Sequence, residues 1–178
     1  VVCPWDNRLA FVMADLFYDD RPYDVCPRLA LRRQIAAAEK AGYRFLAGME
    51  PEFILLKVGS GGRLVKAFDE EPDADPLTRL RRQAYGYDLE FSIDAMPFLR
   101  EMVMHMKTLG WNPKNVVCEG AYSQFELDFD YTDMLGMADR FILMRVMAKE
   151  IAKRHGMIAT FMPKPAQGDW RNGAHINW

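Results

Sequence analysis

The run Leu-Ala-Gly-Met-Glu-Pro-Glu-Phe-Ile-Leu-Leu-Lys-Val, from Leu46 to Val58, is apolar apart from two carboxylates and a lysine near its end. Its length and composition read as a strand, expected over Tyr43 to Val58 and closed by Gly59-Ser60-Gly61-Gly62. Alternate residues of a strand share a face, so Glu50 and Glu52 point the same way, about 7 Å apart. On a solvent face such a pair is harmless. Flanked by Leu46, Ala47, Phe53, Ile54, Leu55 and Leu56, it implies a core strand. There two ionised carboxylates need a cation or strong donors to offset desolvation and repulsion.

Two further segments carry similar chemistry. In Cys118-Glu119-Gly120-Ala121-Tyr122-Ser123-Gln124-Phe125-Glu126, a short turn separates two glutamates. A hairpin of that length brings Glu119 and Glu126 to the same end of adjacent strands, although two exposed acids would read the same way. In Asn172-Gly173-Ala174-His175, His175 opens an alternating stretch behind a permissive glycine. A lone histidine is commonly structural. Four carboxylates and one imidazole, however, are oxygen-rich ligands that suit Mg²⁺ or Mn²⁺ better than zinc. Such ions bridging phosphate oxygens stabilise phosphoryl transfer. Convergence of Glu50, Glu52, Glu119, Glu126 and His175 would therefore indicate a metal–phosphate enzyme or a piece of one.

Composition narrows the alternatives. The chain has 178 residues, half of them hydrophobic, and a net charge of -2. That length gives one domain with a substantial core. The small charge offers no electrostatic argument for nucleic acid or an anionic membrane. No apolar run reaches the roughly 20 residues of a membrane span, and no signal peptide is visible. Cys3, Cys26 and Cys118 fit neither a zinc spacing nor a disulfide framework, which implies thiols in a reducing cytoplasm. There is no G-x-x-x-x-G-K-[ST] and no G-x-G-x-x-G.

Around these motifs the chain mixes strands and helices. A strand is expected over Leu9–Phe17, with a turn at Asp19-Asp20-Arg21-Pro22. Pro27 suits the first turn of a helix running to about Ala41, with Leu31, Ile35 and Ala38 on one face and Gly42 at its end. Residues 69–82 read as a polar surface excursion. Asp94 is expected to cap a helix through Leu109, whose Met102, Met106 and Leu109 are spaced for core packing. A longer helix is expected over Thr132–His155, then a strand over Met157–Met162. His105 and His155, on helices without an acidic motif beside them, receive no role. βαβ units do not dominate, so the fold class is α+β with a largely antiparallel sheet.

These motifs resemble the glutamine synthetase family. The matching segments, in order, are Gly48 to Phe53, Glu119 to Glu126, Thr160-Phe161-Met162-Pro163-Lys164-Pro165, and Asn172 to His175. Pro4-Trp5, Asp15 and Pro27-Arg28 resemble the opening of the family's catalytic domain. The Asn-Gly-Ala-His block, with Gly110-Trp111, resembles the branch of γ-glutamylmethylamide synthetases and other γ-glutamyl amine ligases. The resemblance implies a curved, largely antiparallel sheet with flanking helices. It implies ATP-dependent activation of glutamate, or a similar amino acid, as a γ-glutamyl phosphate, then amide formation with ammonia or an amine. Glu52, Glu119 and Glu126 would hold one Mg²⁺ or Mn²⁺, and Glu50 and His175 a second. Phe129, Tyr131 and Asn177 would lie near the nucleotide. Trp170, Arg171 and Gly173 would face the amino-acid substrate, with Trp170 and Arg171 where the family usually offers small or amide residues.

The same resemblance makes residues 1–178 part of a catalytic domain. The family's small N-terminal domain, a downstream glutamate ligand and downstream arginines would lie outside them. The fragment alone is then expected to be inactive, and the full protein a homo-oligomeric ring in the cytoplasm. Two other readings stay open: a catalytically inactive relative with an altered pocket, and a phosphagen-kinase-type phosphotransferase.

Overall fold

One strand organises the molecule. The computed structural model describes residues 1–68, 86–165 and 170–178. After a two-stranded hairpin, β1 (Phe17–Tyr18) and β2 (Arg21–Pro22), the chain forms α1 (Pro27–Lys40) and then the long β3 (Leu46–Val58). Strand β3 pairs with β4 (Leu64–Lys66), β6 (Gln124–Phe129), β7 (Thr132–Asp133), β8 (Ile158–Thr160) and β9 (Ala174–Asn177). Strand β5 (Pro113–Cys118) completes the seven-stranded sheet by pairing with β6. Every strand pairing among the described residues is antiparallel, as the α+β reading expects.

Helices α2 (Leu89–Asp94), α3 (Met96–Thr108) and α4 (Met134–Arg154) are the other α-helices among the described residues. Phe53 and Leu55 of β3 are fully buried, and Phe53 lies edge-on to Phe98 of α3, with ring centroids 5.9 Å apart. Met102 and Met106 of α3 and Met144, Met147 and Ile151 of α4 fill the same core. Truncating a buried phenylalanine such as Phe53 to alanine costs about 3–5 kcal/mol. The alternation of β3 therefore sends Phe53 and Leu55 towards the helices and leaves Glu50 and Glu52 to the other face.

Several expected boundaries move, each for a physical reason. Leu9–Phe17 is not a strand: its backbone makes one isolated bridge, Val2 to Ala10, and a few scattered hydrogen bonds, Phe11 with Val1 and Leu16 with Tyr23, that form no continuous ladder. Phe11 and Met13 still pack on the core, so side-chain alternation survives without a ladder. Strand β3 begins at Leu46 rather than Tyr43, because the Tyr43 amide closes α1 by donating to the Ala38 carbonyl. Gly42, at φ +86°, makes that closure possible. Leu31, Ile35 and Ala38 form the half-buried face of α1, as expected.

Asp94 does not cap the next helix. Asp88 does so, six residues earlier in the chain, by accepting from the Glu90 amide. Pro97 has no N–H to continue α2 through its first turn, so the chain breaks at Ala95 and restarts as α3. Helix α4 is capped by Asp133, whose carboxylate accepts from the Gly136 amide, and the expected strand after it shortens to Ile158–Thr160. The surface excursion expected over residues 69–82 lies outside the described residues.

Candidate metal and substrate site

Register places the acidic motifs together. Glu52 of β3 lies opposite Glu126 of β6, and Glu50 of β3 opposite His175 of β9. Opposed residues of an antiparallel pair share a face, so all four side chains project from one side of the sheet. Ligand atoms of Glu50, Glu126 and His175 lie within 4.8 Å of one another. His175 Nδ1 is 3.4 Å from Glu50 Oε2, and Asn177 Nδ2 donates to Glu50 Oε1 at 2.7 Å.

Glu52 is held differently. Its Oε2 accepts from Gln124 Nε2 at 2.6 Å, and its own amide donates to the Gly173 carbonyl at 3.2 Å. The Gln124 amide nitrogen also reaches the Arg171 carbonyl at 2.9 Å and Asn172 Oδ1 at 3.2 Å. Gln124 Oε1 accepts from the Ala121 amide at 3.0 Å. One buried amide thus ties the Glu119–Glu126 turn, strand β3 and the loop before β9 into a unit. Gly173 sits in the gap this leaves: a Cβ there would come within 2.5 Å of Glu52 Oε1 and 3.1 Å of His175 Cε1.

The electrostatics are unrelieved. Burial pushes the Glu126 carboxyl up to about 8, and the charges of Asp128, Glu119, Glu50 and Glu52 add to it. Burial also raises Glu119, just beyond β5, with Glu52 adding and His175 opposing. Asp128 is raised by burial, and its Oδ1 is buried without a hydrogen-bond partner among the described residues. An orphaned buried carboxylate oxygen beside a crowded carboxylate set fits a hard divalent cation, which supplies the missing positive charge.

Asp128 is a further candidate that motif reasoning missed. The signal was present: Glu126-x-Asp128 on β6 repeats the spacing of Glu50-x-Glu52 on β3. Gln124 was also missed as the connector, since a glutamine in a turn has no sequence signature for spanning three segments.

The other expected residues separate into two regions. Phe129, Tyr131 and Asn177 line one cleft of about 610 Å³, together with Trp178. Phe129 is largely committed to the core, tilted against Trp111 at 5.3 Å, whereas Tyr131 is exposed. Asn177 joins this cleft to the carboxylates through Glu50. Trp170 packs on Gly120, where an added Cβ would meet its indole at 2.8 Å, so the indole lies beside the residue that follows Glu119. Arg171 is exposed and makes no side-chain ion pair among the described residues.

Residues 24–178 match the family model of the glutamine synthetase catalytic domain. The chain belongs to the glutamine synthetase family. Glutamine synthetase of Rhizobium leguminosarum bv. phaseoli is 38% identical over 176 residues, which are 98% of this chain and 37% of that protein. Glutamate–methylamine ligase of Methyloversatilis universalis is 30% identical over 174 residues, again 98% and 37%. A solved structure of GmaS without ligand superposes with a TM-score of 0.83 at 31% identity, over 99% of this chain and 39% of that one. Among glutamine synthetases and their relatives, the chain lies near the GmaS branch. It spans little more than a third of the length of these relatives, at 37–39%.

Proposed function

We propose that this chain is part of an ATP-dependent carboxylate–amine ligase of the glutamine synthetase type. The observation that carries the reading is the convergence of Glu50, Glu126 and His175 within 4.8 Å, on the sheet of this family's catalytic domain. Residues 1–178 are read as a portion of that domain, on the ground that they cover 37% of the Rhizobium enzyme.

Glu52, Glu119 and Glu126 would hold one Mg²⁺ or Mn²⁺, and Glu50 and His175 a second. When bound, these ions neutralise phosphate charge while ATP supplies the phosphoryl group that activates the acid. Gln124 holds Glu52 at 2.6 Å and keeps its lone pairs aimed at the shared face. Asn177 orients Glu50 and, with Phe129 and Tyr131, borders the cleft assigned to the nucleotide. Gly173, lacking a Cβ, lets the loop before β9 pass close beside the Glu52 carboxylate and the His175 ring. Trp170 and Arg171 would shape the amino-acid side, Arg171 by offering a carboxylate a bidentate partner. The acid is glutamate or a similar amino acid, and its partner ammonia or an amine. The full protein would act as a homo-oligomeric ring in the cytoplasm.

A second reading has one observation in its favour. The Trp170 indole occupies space against Gly120, next to Glu119, where a substrate would approach. A relative that kept the fold and lost catalysis would tolerate that. Phosphate release from ATP by the full reading frame separates the two. The assay crosses glutamate and other amino acids with ammonia, methylamine and longer amines, in Mg²⁺ or Mn²⁺. Release that requires both an acid and an amine supports the ligase. No release with any pair, from folded protein that binds metal, overturns it.

A further inference from the structure

Where α4 meets β8 lies a basic cleft to which the ligase reading assigns neither metal nor substrate. We propose that this cleft, between α4 and β8, binds a small organic phosphate. Its volume is about 590 Å³, in the range of small-molecule sites. Arg145, Lys149 and Lys153 line it from α4 at spacings of four residues, which places their side chains on one helix face. Ile158, Met162 and Pro163 supply the opposite, largely apolar wall.

Arg145 is what makes this more than a solvated basic stripe. Its guanidinium carbon lies 5.6 Å from the ring centroids of both Phe141 and Phe161. Two aromatic rings fix the plane of the fork before any ligand arrives, so little freedom is lost on binding. Its Nε is buried with no hydrogen-bond partner, and no carboxylate pairs with it among the described residues. Lys149 is exposed and likewise makes no ion pair among the described residues. Lys153 is neutralised in part by Glu150, at 2.5 Å. Among the described residues the cleft therefore keeps two cations without an ion pair, one of them preoriented and planar, opposite exposed Ile158 and Met162. A planar fork and a nearby ammonium suit the tetrahedral oxygens of a phosphate. The apolar wall favours a phosphate that carries an organic group over the free ion.

Isothermal titration of the full reading frame with phenyl phosphate tests this, in EDTA so that the carboxylate cluster holds no metal. Inorganic phosphate and phenol run as parallel arms. Saturable binding of phenyl phosphate is expected, weaker binding of phosphate, and none of phenol. Arg145→Met keeps the apolar stem and should weaken binding about tenfold or more. Lys149→Gln lies on the surface, leaves the fold intact, and should weaken it about threefold to tenfold, as should added salt. The proposal is overturned if phenyl phosphate does not bind at millimolar concentration. It is equally overturned if binding persists unchanged in Lys149→Gln and Arg145→Met, which would place the ligand elsewhere. Because the titration excludes metal and acid–amine turnover, its failure leaves the ligase reading untouched.

Discussion

Glu52 and Glu126 face each other directly across β3 and β6, two carboxyl groups that repel when both are ionised and whose β3 member is buried. Opposed like charges destabilise a sheet. The pair is tolerable when positive charge lies between or beside the two groups, and Gln124 offers Glu52 only a neutral donor. Added Mg²⁺ or Mn²⁺ should therefore raise the melting temperature. At a concentration 100 times the dissociation constant the gain is about 2.7 kcal/mol. Glu126→Gln should raise the metal-free melting temperature by about 2–4 °C and blunt the response to metal. Thermal melts with and without EDTA check both. A melting point of the parent chain that ignores both ions would remove the case for a metal site.

The same carboxylates set a pH dependence. Glu126 titrates at about 8 in the folded chain against an ordinary 4.5, so the folded state holds a proton that the unfolded chain has released. Stability from this group is complete below about 4.5 and is lost as pH rises through about 8. Glu119 and Asp128 are shifted in the same direction. Urea midpoints in EDTA should fall from pH 5 to pH 8.5, and saturating Mn²⁺ should flatten or reverse the slope. A metal-free midpoint that climbs over this range contradicts the assignment.

Gln124 joins three segments through one buried side chain. Gln124→Leu keeps the volume but strands Glu52 and frees the loop that carries Arg171 and Asn172. A loss of about 1–3 kcal/mol is expected, the range for leaving a buried polar group unpaired. Metal affinity should drop with it. The check is a denaturation curve paired with a Mn²⁺ titration.

Gly173→Ala should act on the site more than on the fold. Its Cβ would fall 2.5 Å from Glu52 Oε1, so either β9 or the Glu52 carboxylate must give way. Mn²⁺ binding should weaken about tenfold or more, with a change in stability near 1 kcal/mol. Equal Mn²⁺ affinity in the two proteins would show that the gap has no bearing on the ligands.

Gly120 and Trp170 should behave as a coupled pair. Gly120→Ala forces the indole away and is expected to destabilise the chain, whereas the same change in a Trp170→Ala background should be nearly neutral. The coupling energy should reach about 0.5 kcal/mol or more in a double-mutant cycle. If the two changes add, the indole does not rest on Gly120 in solution.

Composition and local pattern determined a good deal here. The alternation of β3 put Glu50 and Glu52 on one face, Gly42 marked a helix end, and the methionines of α3 marked its core side. Local chemistry also singled out Glu50, Glu52, Glu119 and Glu126 as candidate ligands, because carboxylates embedded in apolar strands demand compensation. Tertiary structure decided what local pattern cannot carry. The apolar run Leu9–Phe17 looks like a strand, yet a strand needs a continuous ladder for its N–H and C=O groups, and the fold gives this segment one isolated bridge and scattered bonds. Pairing Glu52 with Glu126 and Glu50 with His175 is a matter of register between residues 74 and 125 apart in the chain, set by how the whole sheet assembles. The span of Gln124 across three segments, the buried Asp128 oxygen and the two rings around Arg145 likewise exist only once distant residues meet.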